Sequence, residues 1–112
     1  MLSKLLCRLA LGSALITGQA VADAGWTTKG DIHSLTATSF SRLVIHARFP
    51  DEISNCRDKE RFYLDYGRPG TGFVHELLVA AVATGKPVQL RVTGKCELKG
   101  MSEISEARLL AE

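Results

Sequence analysis

The chain has 112 residues, with 14 basic side chains, 12 acidic side chains and three cysteines. This length fits one small domain rather than several. Two of the basic residues, Lys4 and Arg8, lie in the first 22 residues, so the remaining 90 residues carry twelve charges of each sign. Nucleic-acid-binding domains normally carry an excess of basic residues. The balanced charge therefore predicts no nucleic-acid partner.

Residues 1–22 have the pattern of a secretory signal peptide. Lys4 and Arg8 precede an apolar stretch at 9–16, and Ala20 and Ala22 supply the small side chains of a cleavage site. The apolar stretch is shorter than the roughly 20 residues that span a bilayer. We predict cleavage after Ala22, with Ala24 as the second choice, and an exported single domain of residues 23–112 without a membrane span. The alternative is a buried N-terminal helix.

The cysteines predict one disulfide. Cys7 precedes the apolar stretch, so it forms no lipid-anchor site and is discarded with the signal peptide. Cys56 and Cys96 remain, and an even number of cysteines in an exported chain indicates a bridge. Such a bridge closes a loop of 41 residues, and the lost loop entropy stabilises the fold by roughly 4 kcal/mol. Free thiols or half of a metal site are the alternative, which the absence of a C-x-x-C pair disfavours.

Three strands are predicted before the glycine-rich residues 67–72. Residues 31–39 are rich in β-branched and small polar side chains, and the spacing of Ile32 and Leu35 requires a bulge. Residues 42–49 alternate clearly, with Arg42, Val44, His46 and Arg48 on the outer face. Residues 60–66 form the third strand, which places Phe62, Leu64 and Tyr66 inward and Tyr63 and Asp65 outward.

One helix and two more strands follow. Residues 67–72 contain three glycines and a proline, which break regular structure. Apolar residues at helical spacing predict a helix over 73–84, which ends at Gly85 because Pro87 cannot continue it. Residues 88–96 alternate strictly, and residues 103–110 form a last strand with irregular alternation. The apolar stripe of the helix consists of Val74, Leu77, Leu78 and Ala81.

The order of three strands, a helix and two strands predicts a mostly β OB-fold, a five-stranded Greek-key barrel with the helix between strands three and four. Bulges and glycines in the first and last strands suit a small barrel that curves sharply. A generic α+β sandwich is the alternative.

Several short segments resemble small secreted bacterial OB-fold proteins related to the B subunit of subtilase cytotoxin. These segments are Gly25-Trp26-Thr27, Ala83-Thr84-Gly85-Lys86-Pro87-Val88 and the strand that follows. The resemblance implies an OB-fold with a disulfide and, in the toxin branch, a pentameric ring that binds cell-surface glycans. The outer face of the helix, with Val79 and Ala83, would suit contacts between subunits. No sugar-binding residues of the family match positions here.

The sequence predicts no catalytic residues, no metal site and no cofactor. A hairpin that turns at 40–41 places His33 opposite Arg48 and His46 opposite Leu35, which keeps the two histidines apart, and His75 lies near the start of the helix. Metal binding or general-base catalysis needs such side chains to converge. The glycines before the helix lack the Lys and Ser/Thr of a phosphate loop. The histidines are thus predicted to be solvated or singly hydrogen-bonded at the surface.

OB-folds bind ligands on strands two and three and on two neighbouring loops. The predicted ligand surface therefore comprises Phe40, Arg42, His46, Arg48 and Tyr63, with Lys99 and Met101 on the far loop. An exposed aromatic ring beside arginines can stack on a sugar or on a partner side chain. We predict a non-enzymatic binding module, periplasmic or secreted, for a glycan or protein ligand. The alternative functions are a periplasmic structural or accessory protein without a ligand pocket and, less favoured, a metal-dependent hydrolase or nuclease.

Overall fold

The computed structural model describes residues 24–51 and 54–111. The predicted signal peptide, residues 1–22, lies outside this part of the chain. Within the described residues there are six strands and one helix. They are β1 (Gly25–Trp26), β2 (Asp31–Ala37), β3 (Arg42–Arg48), β4 (Arg61–Asp65), α1 (Thr71–Thr84), β5 (Val88–Val92) and β6 (Ser102–Leu109).

The described strands form one sheet in the order β1-β5-β6-β4-β3-β2. Neighbours are antiparallel except for β4 and β6, which are parallel and are separated in the chain by α1 and β5. Gly30, just before β2, exchanges backbone hydrogen bonds of 3.0 and 2.8 Å with Val88 at the start of β5. One continuous segment thus contacts both β5 and β3.

The core lies between the inner face of the sheet and α1. β3 and β5 alternate buried with more exposed positions, which is the pattern of strands with one face on a core. From α1, Leu78 and Ala81 are buried, whereas Val74 and Leu77 are half-buried. The core cluster contains Leu43, Ile45, Ala47, Phe62, Leu64, Leu78, Ala81, Val88, Leu90, Val92 and Ile104.

Glycines bound α1 at both ends. Gly85 adopts a left-handed conformation with φ of 70°, and its N–H donates to the carbonyl oxygen of Ala81, which ends the helix where the sequence predicts. The helix begins at Thr71, two residues before the predicted start. Gly70 precedes it with φ of 81° and provides no side-chain cap.

The mostly β class, the helix between the third and fourth predicted strands, and the Cys56–Cys96 disulfide are confirmed. Two details differ from the prediction for the described part of the chain. The strands form a six-stranded sheet that is not a closed barrel, and the additional strand, β1, is too short to show alternation. β5 ends at Val92 rather than residue 96 because Gly94, with φ of 94°, turns the chain toward Cys96.

Both predicted irregularities are present as breaks in strand register. Between β2 and β3 the pairing shifts at Ile32/Ser34, so His33 is an extra residue. Between β5 and β6 the pairing passes from Arg91–Glu106 to Val92–Ile104, so Ser105 is an extra residue. Each extra residue bends its strand and moves the side chains on either side of it.

Candidate functional site

The outer face of the sheet carries the polar side chains of β3. Arg42, Val44 and His46 are half-exposed there, while the residues between them are buried. Across the sheet, Val44 lies opposite Thr36 of β2 and Tyr63 of β4. Side chains of directly opposite residues share one face. Thr36, Val44 and Tyr63 therefore form a row across the outer face.

Two loops are joined at one end of this face. The Cys56–Cys96 disulfide connects residues 54–60 to residues 93–101, which we call the covering segment. A backbone hydrogen bond of 2.9 Å runs from Asp58 N to the carbonyl oxygen of Gly100. Arg57 Nη2 also donates to the carbonyl oxygen of Lys99, over 3.4 Å. These contacts hold the covering segment beside the start of β4 and the neighbouring end of β3.

The covering segment overturns one prediction about exposure. Tyr63 points to the outer face, as predicted, but it is only 2% exposed. The backbone N–H of Glu97, in the covering segment, donates a hydrogen bond to the hydroxyl oxygen of Tyr63. Met101, at the end of the same segment, is 6% exposed. The prediction that Tyr63 is an exposed aromatic is wrong because a distant part of the chain covers it.

A groove lies between the outer face and the covering segment. Its volume is about 360 Å³, within the range of small-molecule sites. Arg61 Nη1 and Asp58 Oδ2 are 3.8 Å apart at one side of the groove, and Lys99 lies on the covering segment. The lining combines cations, a carboxylate, a hydroxyl and two apolar side chains. The lining residues are Thr36, Val44, Asp58, Arg61, Lys99 and Met101.

No protein-family model, curated protein or solved structure matches this chain. The resemblance to the B subunit of subtilase cytotoxin therefore stays a hypothesis that rests on its short sequence motifs.

The structure brings together some of the predicted ligand residues. Lys99 and Met101 line the groove, and Tyr63 lies opposite Val44, another lining residue. Arg42 is on the same face, 3.4 Å from the carboxylate of Asp65. Phe40, in the turn between β2 and β3, is 53% exposed but does not line the groove.

The groove also contains residues that the sequence reasoning missed. Val44 was noted on the outer face of its strand but was not assigned to the ligand surface. Arg61 lies opposite His46 across β3 and β4, so a correct register would have revealed it. Asp58 lies at the groove because its backbone is bonded to the covering segment at Gly100. Thr36 lies there because β2 pairs with β3. Neither contact can be read from the alternation of residues within one strand.

A second group of charged side chains lies on the outer face beside residues 54–60 and next to the groove. His33 and His46 lie side by side, with ring centroids 5.4 Å apart. The carboxylate of Glu60 is 3.4 Å from His46 Nε2 and 3.5 Å from Arg48 Nε. The predicted separation of the two histidines is wrong because the bulge at His33 shifts the register: His46 pairs with Ser34, not with Leu35.

A buried carboxylate lies beneath the covering segment. Glu103 is 3% exposed, opposite Tyr63 in the parallel pair of β4 and β6. Its Oε1 accepts a hydrogen bond of 2.8 Å from the hydroxyl group of Thr93 and is 3.3 Å from Arg68 Nη1. A buried charge with a cation and a hydrogen-bond donor is compensated. Arg68, from the glycine-rich loop, thus fixes that loop to β6.

The two tyrosines of the chain are expected to titrate above the ordinary range. Burial raises the pKa of Tyr63, with the Glu103 carboxylate adding to the effect, and burial also raises the pKa of Tyr66. The folded state then disfavours tyrosinate, so the contribution of these two tyrosines to stability should be constant below about pH 10 and be lost above it. Ultraviolet absorbance of tyrosinate during alkaline titration measures this. Ionisation of either tyrosine at its ordinary pKa in the folded protein would contradict the burial described above.

Outside the groove and the histidine pair, the described residues offer no further candidate site. A cavity of about 20 Å³ beside Ser54, Lys59 and Ser102 has room for one water molecule. In residues 24–51 and 54–111, no group of three or more His, Cys, Asp or Glu side chains is placed to hold a metal ion. No helix of these residues is long and apolar enough to cross a membrane.

Proposed function

We propose that this chain is an exported, non-enzymatic binding module that binds a glycan in the groove between the outer face and the covering segment. The observation that carries the proposal is the lining of the groove. The guanidinium of Arg61 and the ammonium of Lys99 are donors, the Asp58 carboxylate is an acceptor, and the hydroxyl of Thr36 is both. Val44 and Met101 add apolar surface.

This combination suits a sugar better than an apolar ligand. Sugar hydroxyl groups donate and accept hydrogen bonds, while the C–H faces of the ring pack on small apolar patches. An apolar ligand would leave the charged groups of the groove without partners, at a cost in free energy. The two cations against one carboxylate favour a glycan with an acidic group, because hydrogen bonds between ionised partners are the stronger ones.

We also propose that the sheet is an OB-fold. Support comes from the element order, from the parallel β4–β6 pair and from the Gly30–Val88 hydrogen bonds. These hydrogen bonds link the residue before β2, at one end of the strand order, to β5, which is next to the other end. In an OB-fold, ligands bind on the second and third strands of the barrel and on adjacent loops. β3 and β4 hold those two positions here, and the groove lies on them.

Export is part of the proposal. It is supported by the signal-peptide pattern of residues 1–22 and by the disulfide, since disulfides persist in oxidising compartments. Assembly into a ring, as the toxin resemblance implies, would place apolar side chains of α1 against neighbouring copies. Phe73, Val79 and Val82 of α1 are 80%, 47% and 45% exposed.

A glycan array with the oxidised mature protein tests the proposed function. Its mass should first be measured by light scattering, because a multivalent assembly raises apparent affinity. We expect selective signal that falls at least about tenfold in Arg61→Ala and in Lys99→Ala, since each substitution removes a charged hydrogen-bond donor.

Arg91→Ala is the matched control. Arg91 is on β5, outside the groove, and like Arg61 it is a largely exposed arginine with a carboxylate partner on the surface. Its array signal should equal that of the wild type. An array without signal would contradict glycan binding and favour a protein ligand or an accessory role. Signal that survives in both groove variants would place the site elsewhere.

A further inference from the structure

His33 and His46 lie next to the groove but are not among its lining residues. His33 is the extra residue of the bulge in β2, and His46 is the half-exposed residue of β3 next to it. Their ring centroids are 5.4 Å apart and their planes are inclined by 56°. Both rings reach solvent, so an ion can approach them without disturbing the core.

This spacing matches two imidazoles on one metal ion. A nitrogen ligand lies about 2.1 Å from a first-row metal ion, which puts the ring centroid about 3.2 Å from the ion. Two such rings have centroids about 4.5 Å apart at the right angle of a tetragonal Cu²⁺ site and about 5 Å apart at the tetrahedral angle of a Zn²⁺ site. The observed separation of 5.4 Å is slightly longer than both values, so the two rings need to approach each other only slightly to share an ion.

The neighbouring charges also suit a cation. The Glu60 carboxylate is 3.4 Å from His46 Nε2 and can fix the orientation of that ring or release it to an ion. Asp31 and His33 line the same shallow groove, which also includes Lys29 and Arg48. Arg48 is 3.5 Å from Glu60, so its charge is opposed by that carboxylate.

We propose that His33 and His46 together bind one divalent transition-metal ion, with Cu²⁺ preferred over Zn²⁺. Imidazole is a common ligand for both ions, and nitrogen sites generally bind Cu²⁺ more tightly. Two side-chain ligands leave the other coordination positions to water, so the ion is held at an open, exposed site. The site does not depend on the glycan proposal.

Titration of the oxidised mature protein with Cu²⁺ and then with Zn²⁺, followed by calorimetry, tests this assignment. We expect one Cu²⁺ per chain and weaker binding of Zn²⁺. His33→Ala and His46→Ala should each weaken Cu²⁺ binding at least about tenfold, because each removes one of two ligands. The electron paramagnetic resonance spectrum of the Cu²⁺ complex should show two nitrogen ligands in the wild type and fewer in each variant.

His75→Ala is the control, since His75 lies on α1 with its ring beside Tyr66 and outside the pair. It should bind Cu²⁺ like the wild type. His46→Gln, which keeps a hydrogen-bonding side chain beside Glu60, separates loss of a ligand from loss of folding and should also lose affinity. Absence of saturable Cu²⁺ binding, or equal affinity in the wild type and the His33→Ala/His46→Ala double variant, would overturn the proposal.

Discussion

Replacement of both Cys56 and Cys96 by alanine should lower the free energy of unfolding by about 4 kcal/mol, because the unfolded chain regains the entropy of a 41-residue loop. This is a large share of the 5–15 kcal/mol typical of a domain. Urea unfolding, followed by the fluorescence of Trp26, measures the difference.

Cys56 is also a buried side chain, 2% exposed, so part of the loss could arise from packing. The wild-type protein with its disulfide chemically reduced separates the two effects, since it keeps both sulfur atoms. We expect most of the loss in the reduced wild type. A loss below about 1 kcal/mol in both samples would mean that the bridge does not constrain the unfolded chain as loop closure requires.

Gly30→Ala should be the most damaging single substitution among the glycines for which neighbours are described. A Cβ atom at Gly30 would lie against the carbonyl oxygen of Arg48 and the ring of Phe49, 2.8 Å from Phe49 Cε1. The backbone at Gly30 is held by its two hydrogen bonds to Val88, so it cannot move away freely. Overpacking of this kind costs about 1–3 kcal/mol and occasionally more. We expect a loss at the upper end of that range.

Gly72→Ala provides the matched comparison. Gly72 lies in the first turn of α1, and a Cβ atom there meets nothing within 4 Å. Alanine is the better helix former, so this variant should be unchanged or stabilised by up to about 1 kcal/mol. Equal stability of the two variants in urea unfolding would show that the segment at Gly30 is not packed as described.

The fold class could be predicted because its signals are local. β3 alternates along its whole length, and Gly85 followed by Pro87 ends α1 where expected. The irregular spacing of Ile32 and Leu35 correctly indicated a bulge. Each signal depends on neighbouring residues and needs no knowledge of which strands pair.

The candidate site depended on contacts that the sequence does not express locally. Alternation correctly predicted that Tyr63 points outward. The burial of Tyr63 depends on the covering segment, which lies 30 or more residues further along the chain. The bulge was foreseen, yet its effect on register was not included when His33 and His46 were judged to be apart. One extra residue in a strand changes which side chains are neighbours. Arg61 was missed for a separate reason, since it lies opposite His46 through the β3–β4 pairing.

The most direct test of the binding site is to map it by nuclear magnetic resonance. Amide chemical shifts of the oxidised, isotope-labelled protein would be followed during titration with the glycan that gives the strongest array signal. Binding in the groove predicts the largest changes at Thr36, Val44, Arg61 and Lys99, on two sides of one space. Changes centred on α1, or on β1 and β5, would contradict the groove as the ligand site.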